Sequence, residues 1–248
     1  VSIIIPNKDH IDDLSRCVNS IFSKGGWDNI EVIVVENNSQ DKRTFDYYHK
    51  ITAENPKVKI AYYKGDFNFS AICNFGFESA KGEHILLLNN DVEFISDGFI
   101  KEMLSYSQRE DVGAVGAKLY YPDGTIQHAG VIIGINGSAG HSHKGLQGDT
   151  TGDMYRLVTT QNYMAVTGAC LMTKAELYAK HPLDEENFAV AYNDIDFCLK
   201  LYEDGYLNVF TPYSEAYHYE SKSRGLDETD KPNPRYEREK KNFQDRWG

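Results

Sequence analysis

The stretch that most constrains this chain is His84–Leu88, HILLL, a continuous apolar run too short for a helix and too apolar for a surface. Such a run suits a strand covered on both faces, at the centre of a parallel sheet. The residues before it support that placement. SIIIP at 2–6, EVIVV at 31–35 and Val58–Tyr62 read as further strands. Between the first two, Ile11, Leu14, Val18, Ile21 and Phe22 recur at helical spacing over 11–22. A polar helix is expected from about 41 to 55 and another over 70–80. This alternation implies right-handed βαβ units and a Rossmann-like, doubly wound, mostly parallel α/β sheet. Ligands of such sheets bind beyond the carboxyl ends of the strands, so the polar residues after each strand are the candidates for chemistry.

The second half changes character. Strands are expected over 112–121 and 125–133, joined by the turn Pro122-Asp123-Gly124. Residues 134–152, rich in Gly, Ser, His and Thr, read as a long mobile loop of the lid or binding type. A strand over 166–173, a helix over 194–203 and short strands over 207–210 and 215–219 follow. A charged helix with few apolar anchors closes the chain at 234–247. One domain, 1–248, is expected: a nucleotide-binding half (1–110), an acceptor-binding half with a smaller mixed sheet (111–225) and a helical tail (226–248).

Charge excludes one class of partner. With 26 basic and 37 acidic residues the formal net charge is −11, which repels the phosphate backbones of nucleic acid. Binding a single nucleotide remains open, because a metal ion reverses the sign of a site locally. Cys17, Cys73, Cys170 and Cys198 are widely spaced with no CxxC pair, so free thiols in a reducing compartment are expected. No apolar run approaches the roughly 18 residues that span a bilayer. A cytoplasmic location, peripheral to the inner face of the membrane, is expected. Val1 opens directly in an apolar strand, which suggests a domain excised from a longer protein.

Three polar clusters stand at three strand ends: Pro6-Asn7-Lys8, Glu36-Asn37-Asn38-Ser39 and Asn89-Asn90-Asp91. Each is also good turn chemistry, but their shared position makes them converge on one crevice. The third delivers a carboxylate straight from the core to the sheet rim. A diphosphate leaving group needs its charge neutralised, and Mg²⁺ or Mn²⁺ held by one carboxylate, phosphate oxygens and water does this. An Asx turn is the alternative. In Tyr192-Asn193-Asp194-Ile195-Asp196, two carboxylates fall in the first turn of a helix. There they either cap the helix or serve as a base for an acceptor hydroxyl. His218 ends a late strand, and Arg224-Gly225 could bring positive charge to a phosphate. His141 and His143 form an HxH without a third spaced ligand, and read as loop polarity.

Taken in order, SIIIP, EVIVVENNS, NFSAICNFG, AKGEHILLLNND, VTGACLMTK, YNDIDFCLK and YHYESKSRG resemble the family-2 glycosyltransferases with the GT-A fold, from residue 1 to about 225. The likeness is greatest to the branch that builds bacterial surface polysaccharides or glycosylates surface proteins, including rhamnosyltransferase-like enzymes. It implies an inverting transfer of a sugar from a UDP- or dTDP-sugar to a hydroxyl of a glycan or glycoprotein, with Mn²⁺ or Mg²⁺ as cofactor. Residue by residue, Pro6, Asn7, Glu36 and Ser39 match the nucleotide pocket. Asn68, Asn74, Asn89, Asn90 and Arg224 match the donor side. Asp91 matches the metal-binding carboxylate and His218 a late metal or diphosphate contact. Asp194 matches the catalytic base, with Tyr192 and Asp196 on the acceptor side.

The departures are specific. Glu36-Asn37 stands where the family has an Asp pair, Asn89 replaces the first Asp of its DxD, and Asn193 replaces the Glu before the base. These losses motivate a rival reading, a binding or scaffold module without turnover. A nucleotidyltransferase is disfavoured because the first strand end has no glycine, and a dinucleotide oxidoreductase because no GxGxxG follows a strand. Gln244-Asp245-Arg246-Trp247 is one residue short of the QxxRW of processive synthases. Tyr236, Phe243 and Trp247 of the last helix are candidates for a homo-oligomer interface.

Overall fold

A computed structural model describes residues 1–219 and 233–248. Its first half follows the alternation expected: β1 Ser2–Asn7, α1 Ile11–Lys24, β2 Glu31–Glu36, α2 Lys42–Glu54, β3 Val58–Tyr62, α3 Phe69–Glu78 and β4 His84–Leu88. Next come β5 Val92–Phe94, α4 Phe99–Ser107, β6 Val112–Tyr120, β7 Ile126–His128, β8 Val131–Ile133 and β9 Ala139–His141. Then follow β10 Gln161–Tyr163, β11 Cys170–Lys174, α5 Ala175–Lys180, α6 Asn193–Glu203, β12 Leu207–His218 and α7 Pro234–Trp247. One sheet of ten strands runs in the order β10-β12-β6-β11-β4-β1-β2-β3, with β5 on β12 and β7 on β6. The strands β1 to β4 are parallel where they pair, and β11 enters antiparallel between β4 and β6. The mixed strands of the second half thus extend the main sheet, and the separate small sheet is the β8–β9 hairpin.

The period-two pattern of the central strands fills two cores. Leu86 and Leu88 join Ile3, Ile5, Val32 and Val34 beneath α1 and α4, whereas Ile85 and Leu87 join Ile4, Ile33 and Val35 beneath α3, α5 and α6. HILLL is covered on both faces for that reason. The four cysteines are buried and unpaired. No described helix is long and apolar enough to cross a membrane.

Four expectations change in the second half. The strand over 125–133 breaks at Gly130, whose φ of 96° places an ideal Cβ 2.3 Å from the Tyr163 ring. Only glycine fits there, and β7 and β8 part into different sheets. The strand expected from 166 begins at Cys170, because Thr167–Ala169 turn towards the cleft described below. The two short late strands join as β12, with register shifts where the chain bulges. The stretch 134–152, expected as a mobile loop, contains β9 and is tied back by Gly145 N to Ile126 O and Ile126 N to Leu146 O.

The tail also departs from its reading as an exposed interface. Phe243 is buried, Tyr192 stacks between Phe243 and Tyr236, and Trp247 Nε1 donates to Asp196 Oδ1 at 3.0 Å. The aromatic residues assigned to an oligomer contact therefore pack inward.

Candidate active site

The ends of β1, β2 and β4 meet through side chains. Asn7, 3% exposed, donates from Nδ2 to Tyr48 Oη at 2.7 Å, and Tyr48 donates to Glu36 Oε2 at 2.7 Å. Ser39 closes the other side of that carboxylate, its Oγ on Oε2 at 2.6 Å and its backbone N on Oε1 at 2.5 Å. From β4, Asn90 Nδ2 donates to Asn7 Oδ1 at 2.7 Å. A buried relay, Asn90–Asn7–Tyr48–Glu36–Ser39, thus spans three strand ends and fixes each side chain's orientation. Burial, then the Glu36 charge, pushes the Tyr48 hydroxyl well above its ordinary pKa, so it stays a donor. Pro6 pairs with Val35 on β2, but the β1–β4 ladder stops at Ile4, so its missing N–H costs that ladder nothing.

One residue along, Asp91 Oδ1 lies 3.1 Å from His218 Nε2, and Asn89 Nδ2 also lies 3.1 Å from that nitrogen. His218 Nδ1 is 2.6 Å from Gln127 Oε1. A carbonyl oxygen only accepts, so Nδ1 carries a proton, which leaves Nε2 as the ring nitrogen that faces Asp91 and is available as a ligand. Ligand atoms about 2.1 Å from a six-coordinate divalent ion are about 3 Å apart along an edge, so the carboxylate and imidazole fit two adjacent positions. Among the described residues no group of three or more His, Cys, Asp or Glu side chains forms a metal site. A two-ligand edge suits a hard cation completed by phosphate oxygens and water.

Beside it opens a cleft of about 410 Å³, lined by Asn89, Gln127, His141, Lys144, Asp194 and His218 together with the 167–169 turn and the 190–195 segment. Asp194 enters from the first turn of α6. Its Oδ2 accepts from Gly168 N at 2.7 Å and its Oδ1 from Ile195 N at 2.9 Å. A Cβ on Gly168 would stand 3.2 Å from that of Asp194, so the absence of a side chain lets the turn approach the carboxylate. Tyr192 precedes the helix at φ 63°, outside the usual range for a bulky residue, with its hydroxyl between Ser138 Oγ and Tyr236 Oη. The loop ahead of it hangs on Glu239 of α7, a fully buried carboxylate that accepts from Ala191 N at 2.6 Å.

Three of the expected site residues face elsewhere. Asp196 is fully buried and bound by Lys200, Arg246 and Trp247, so it anchors α7 rather than lining the acceptor side. Successive carboxylates in a helical turn point in different directions, and here only Asp194 faces the cleft. Asn68 caps α3 through Ala71 N and donates to Glu185 O. Asn74 clips α3 to the segment after α5, taking Tyr178 Oη and Leu183 N on Oδ1 and giving Nδ2 to Leu183 O. Both amides are occupied by protein groups, which argues against the donor contacts expected of them. Arg224 lies outside the described residues.

Sequence reasoning missed Tyr48, Gln127, His128, His141 and Lys144. Tyr48 sits within a helix read only as polar. Gln127 and His128 lie in a short strand among apolar residues, with no local signal of function. His141 belonged to the HxH taken as loop polarity, and no local signal separates it from His143, which pairs with Asp153.

The comparisons decide the family. Residues 2–180 match the model of glycosyl transferase family 2. The chain is a family 2 glycosyltransferase. This glycosyltransferase is 44% identical over all 248 residues to the uncharacterised protein y4gI of Sinorhizobium fredii, of which it spans 27%. It is 36% identical over 228 residues, 92% of its length, to the O-antigen biosynthesis protein RfbC of Myxococcus xanthus, of which it spans 18%. These relatives are therefore several times longer than the chain. Its fold is GT-A. GalNAc-T7, solved with UDP, GalNAc and Mn²⁺, superposes with a TM-score of 0.72 at 14% identity over 94% of this chain and 46% of that one. The mannosyltransferase PcManGT of Pyrobaculum calidifontis, solved with GDP-mannose and Mn²⁺, gives 0.65 at 15% identity over 90% of this chain and 57% of that one.

Proposed function

We propose that this glycosyltransferase moves a sugar, with inversion, from a UDP- or dTDP-sugar to a hydroxyl of a glycan or glycoprotein acceptor, with Asp194 as general base. The observation that carries the reading is one cleft holding both the Asp194 carboxylate and the rim of the Asp91–His218 pair. The donor half is 1–110 and the acceptor half 111–225, acting as one catalytic unit. The likeness to the O-antigen biosynthesis protein of Myxococcus xanthus supports a surface glycan as acceptor.

In the proposed step an acceptor oxygen attacks the anomeric carbon as the carbon–oxygen bond to the diphosphate breaks and its electron pair leaves with the diphosphate. The hydroxyl proton passes to Asp194. Backbone amides from Gly168 and Ile195 take one lone pair on each carboxylate oxygen, which holds the group still and leaves the second pair for the proton. The Asn90–Asn7–Tyr48–Glu36 relay stiffens the strand ends that would hold base and ribose, lowering the ordering cost of donor binding. Asp91 and His218 would hold Mn²⁺ or Mg²⁺, which when bound supplies neutralisation of the diphosphate charge.

The test is a donor screen with Mn²⁺ and UDP-, dTDP- and GDP-sugars, reading released nucleoside diphosphate. Metal-dependent release from one donor, lost in Asp194→Asn with nucleotide binding retained, is expected. Release that survives Asp194→Asn would remove it as the base.

A further inference from the structure

Behind the cleft two histidines meet nitrogen to nitrogen. His128, at the end of β7, is fully buried, and its Nδ1 lies 2.8 Å from Nδ1 of His141, the last residue of β9. The other His128 nitrogen, Nε2, faces two backbone amides, Gly130 N at 3.3 Å and Thr167 N at 3.4 Å. Amides only donate, so His128 Nε2 is the unprotonated nitrogen and its proton sits on Nδ1. That proton points at His141 Nδ1, which must then be the acceptor. The chain of donors forces a neutral His141 to carry its proton on Nε2.

His141 Nε2 has no protein partner among the described residues, and the ring lines the cleft with Asp194, Lys144, Tyr192 and Tyr236. The hairpin register, Val131 opposite His141, and the turn at Gly130 set the ring there, with Gly130 O accepting from Ser142 N just beyond it. A donor lining a carboxylate-bearing cleft and claimed by no protein group is free to serve a ligand oxygen.

We propose that His141, locked as its Nε2–H tautomer by His128, is an acceptor-binding residue that donates to a hydroxyl or ring oxygen of the acceptor sugar beside Asp194. This rests on the transferase reading above. Burial keeps His141 neutral, lowering its pKa to about 4 against the opposing pull of Asp194, while Lys144 and His218 add to the lowering. The same lock bars His141 from acting as a base, since Nδ1 is occupied and Nε2 already bears a proton. The base role is left to Asp194. His128 is a positioning residue that acts only through its neighbour.

The experiment has two arms on the full chain. Long-range proton–nitrogen NMR of the imidazoles at neutral pH reads the tautomers directly. His128 is expected as Nδ1–H and His141 as Nε2–H, with His141 becoming a tautomer mixture in His128→Phe. A mixed or charged His141 in the unmodified protein overturns the lock. The second arm uses the donor found in the screen and a panel of methyl glycosides. His141→Ala should raise the acceptor KM about tenfold and leave donor hydrolysis without acceptor within about twofold, and His141→Gln, which keeps an N–H, should recover part of the loss. Equal loss of hydrolysis and transfer, or a panel in which no glycoside accepts sugar or shifts the His141 nitrogen signals, overturns the acceptor role. A protein silent towards every donor would instead sink the transferase reading, and the tautomer spectra would still decide the lock.

Discussion

The strand-end cluster and the cleft beside it are built in opposite ways. Glu36 and Ser39 are neighbours in sequence, and Asn7 and Asn90 arrive on adjacent parallel strands, so the cluster follows once β1, β2 and β4 are in register. The cleft joins β7, the β8–β9 hairpin, the 167–169 turn, α6 and, through Glu239, the tail helix. Its residues come from segments far apart in the chain, and each is steered by a partner from elsewhere in the fold or from the neighbouring turn, as His218 is by Gln127, Asp194 by Gly168 and His141 by His128. The difference teaches where mutation should act. Changes in the cluster should alter nucleotide affinity and leave the rest standing, whereas changes behind the cleft should alter geometry at a distance.

Five experiments break or sharpen that contrast. Asp194→Asn should lower turnover by about 10² to 10⁴-fold with nucleotide affinity preserved, read by steady-state kinetics alongside nucleotide titration. An equal fall in nucleotide affinity would mean that the two regions are not separable. Gly130→Ala should destabilise by about 2–4 kcal/mol, because a left-handed φ and a Tyr163 ring at 2.3 Å both oppose a Cβ. Urea unfolding measures this, and a neutral result would show that the hairpin can shift. Gln127→Ala, which removes the group orienting His218, should weaken Mn²⁺ activation by about 10- to 100-fold without changing the unfolding midpoint greatly.

Smaller effects come from behind the cleft. Glu239→Gln weakens a buried acceptor of the Val190 and Ala191 amides, and should cost about 1–2 kcal/mol in stability together with a fall in kcat. Loss of stability with kcat intact would show that the tail does not steer the 190–195 segment. The smallest effect is in pH. His141 binds its second proton near pH 4, whereas an unfolded histidine does so near 6.5. The unfolded state therefore takes up protons first, and stability should decline as pH falls from about 6.5 towards 4. His141→Gln should flatten part of that decline in thermal scans across the window, with His128, whose affinity burial also lowers, supplying the remainder.

The strand-end cluster was legible because its determinants are local. An apolar run followed at once by Asn89-Asn90-Asp91 announces a carboxylate at a sheet rim, and the resemblance of that segment to the family's metal motif agrees with His218 meeting it. In the cleft, Asn89, Tyr192, Asp194 and His218 were named from the sequence, whereas Gln127, His141 and Lys144 were not. The resemblance set Asp194 apart as the base but left Asp196 on the acceptor side, and the docking of Arg246 and Trp247 is what takes Asp196 out of the cleft. The two histidines of the HxH are equally alike, and only the partner each meets, His128 or Asp153, distinguishes them.

Taken alone, then, the sequence determined the α/β sheet, its buried centre and the polar ends of its strands, because periodicity and burial act over a few residues at a time. The tertiary structure alone decided that 125–133 breaks at Gly130 and that the tail aromatics pack inward. It alone brought a buried histidine to set the proton on another. Those outcomes depend on contacts between segments tens of residues apart, where a backbone angle or a single donor at van der Waals range selects among arrangements that the local sequence leaves equal.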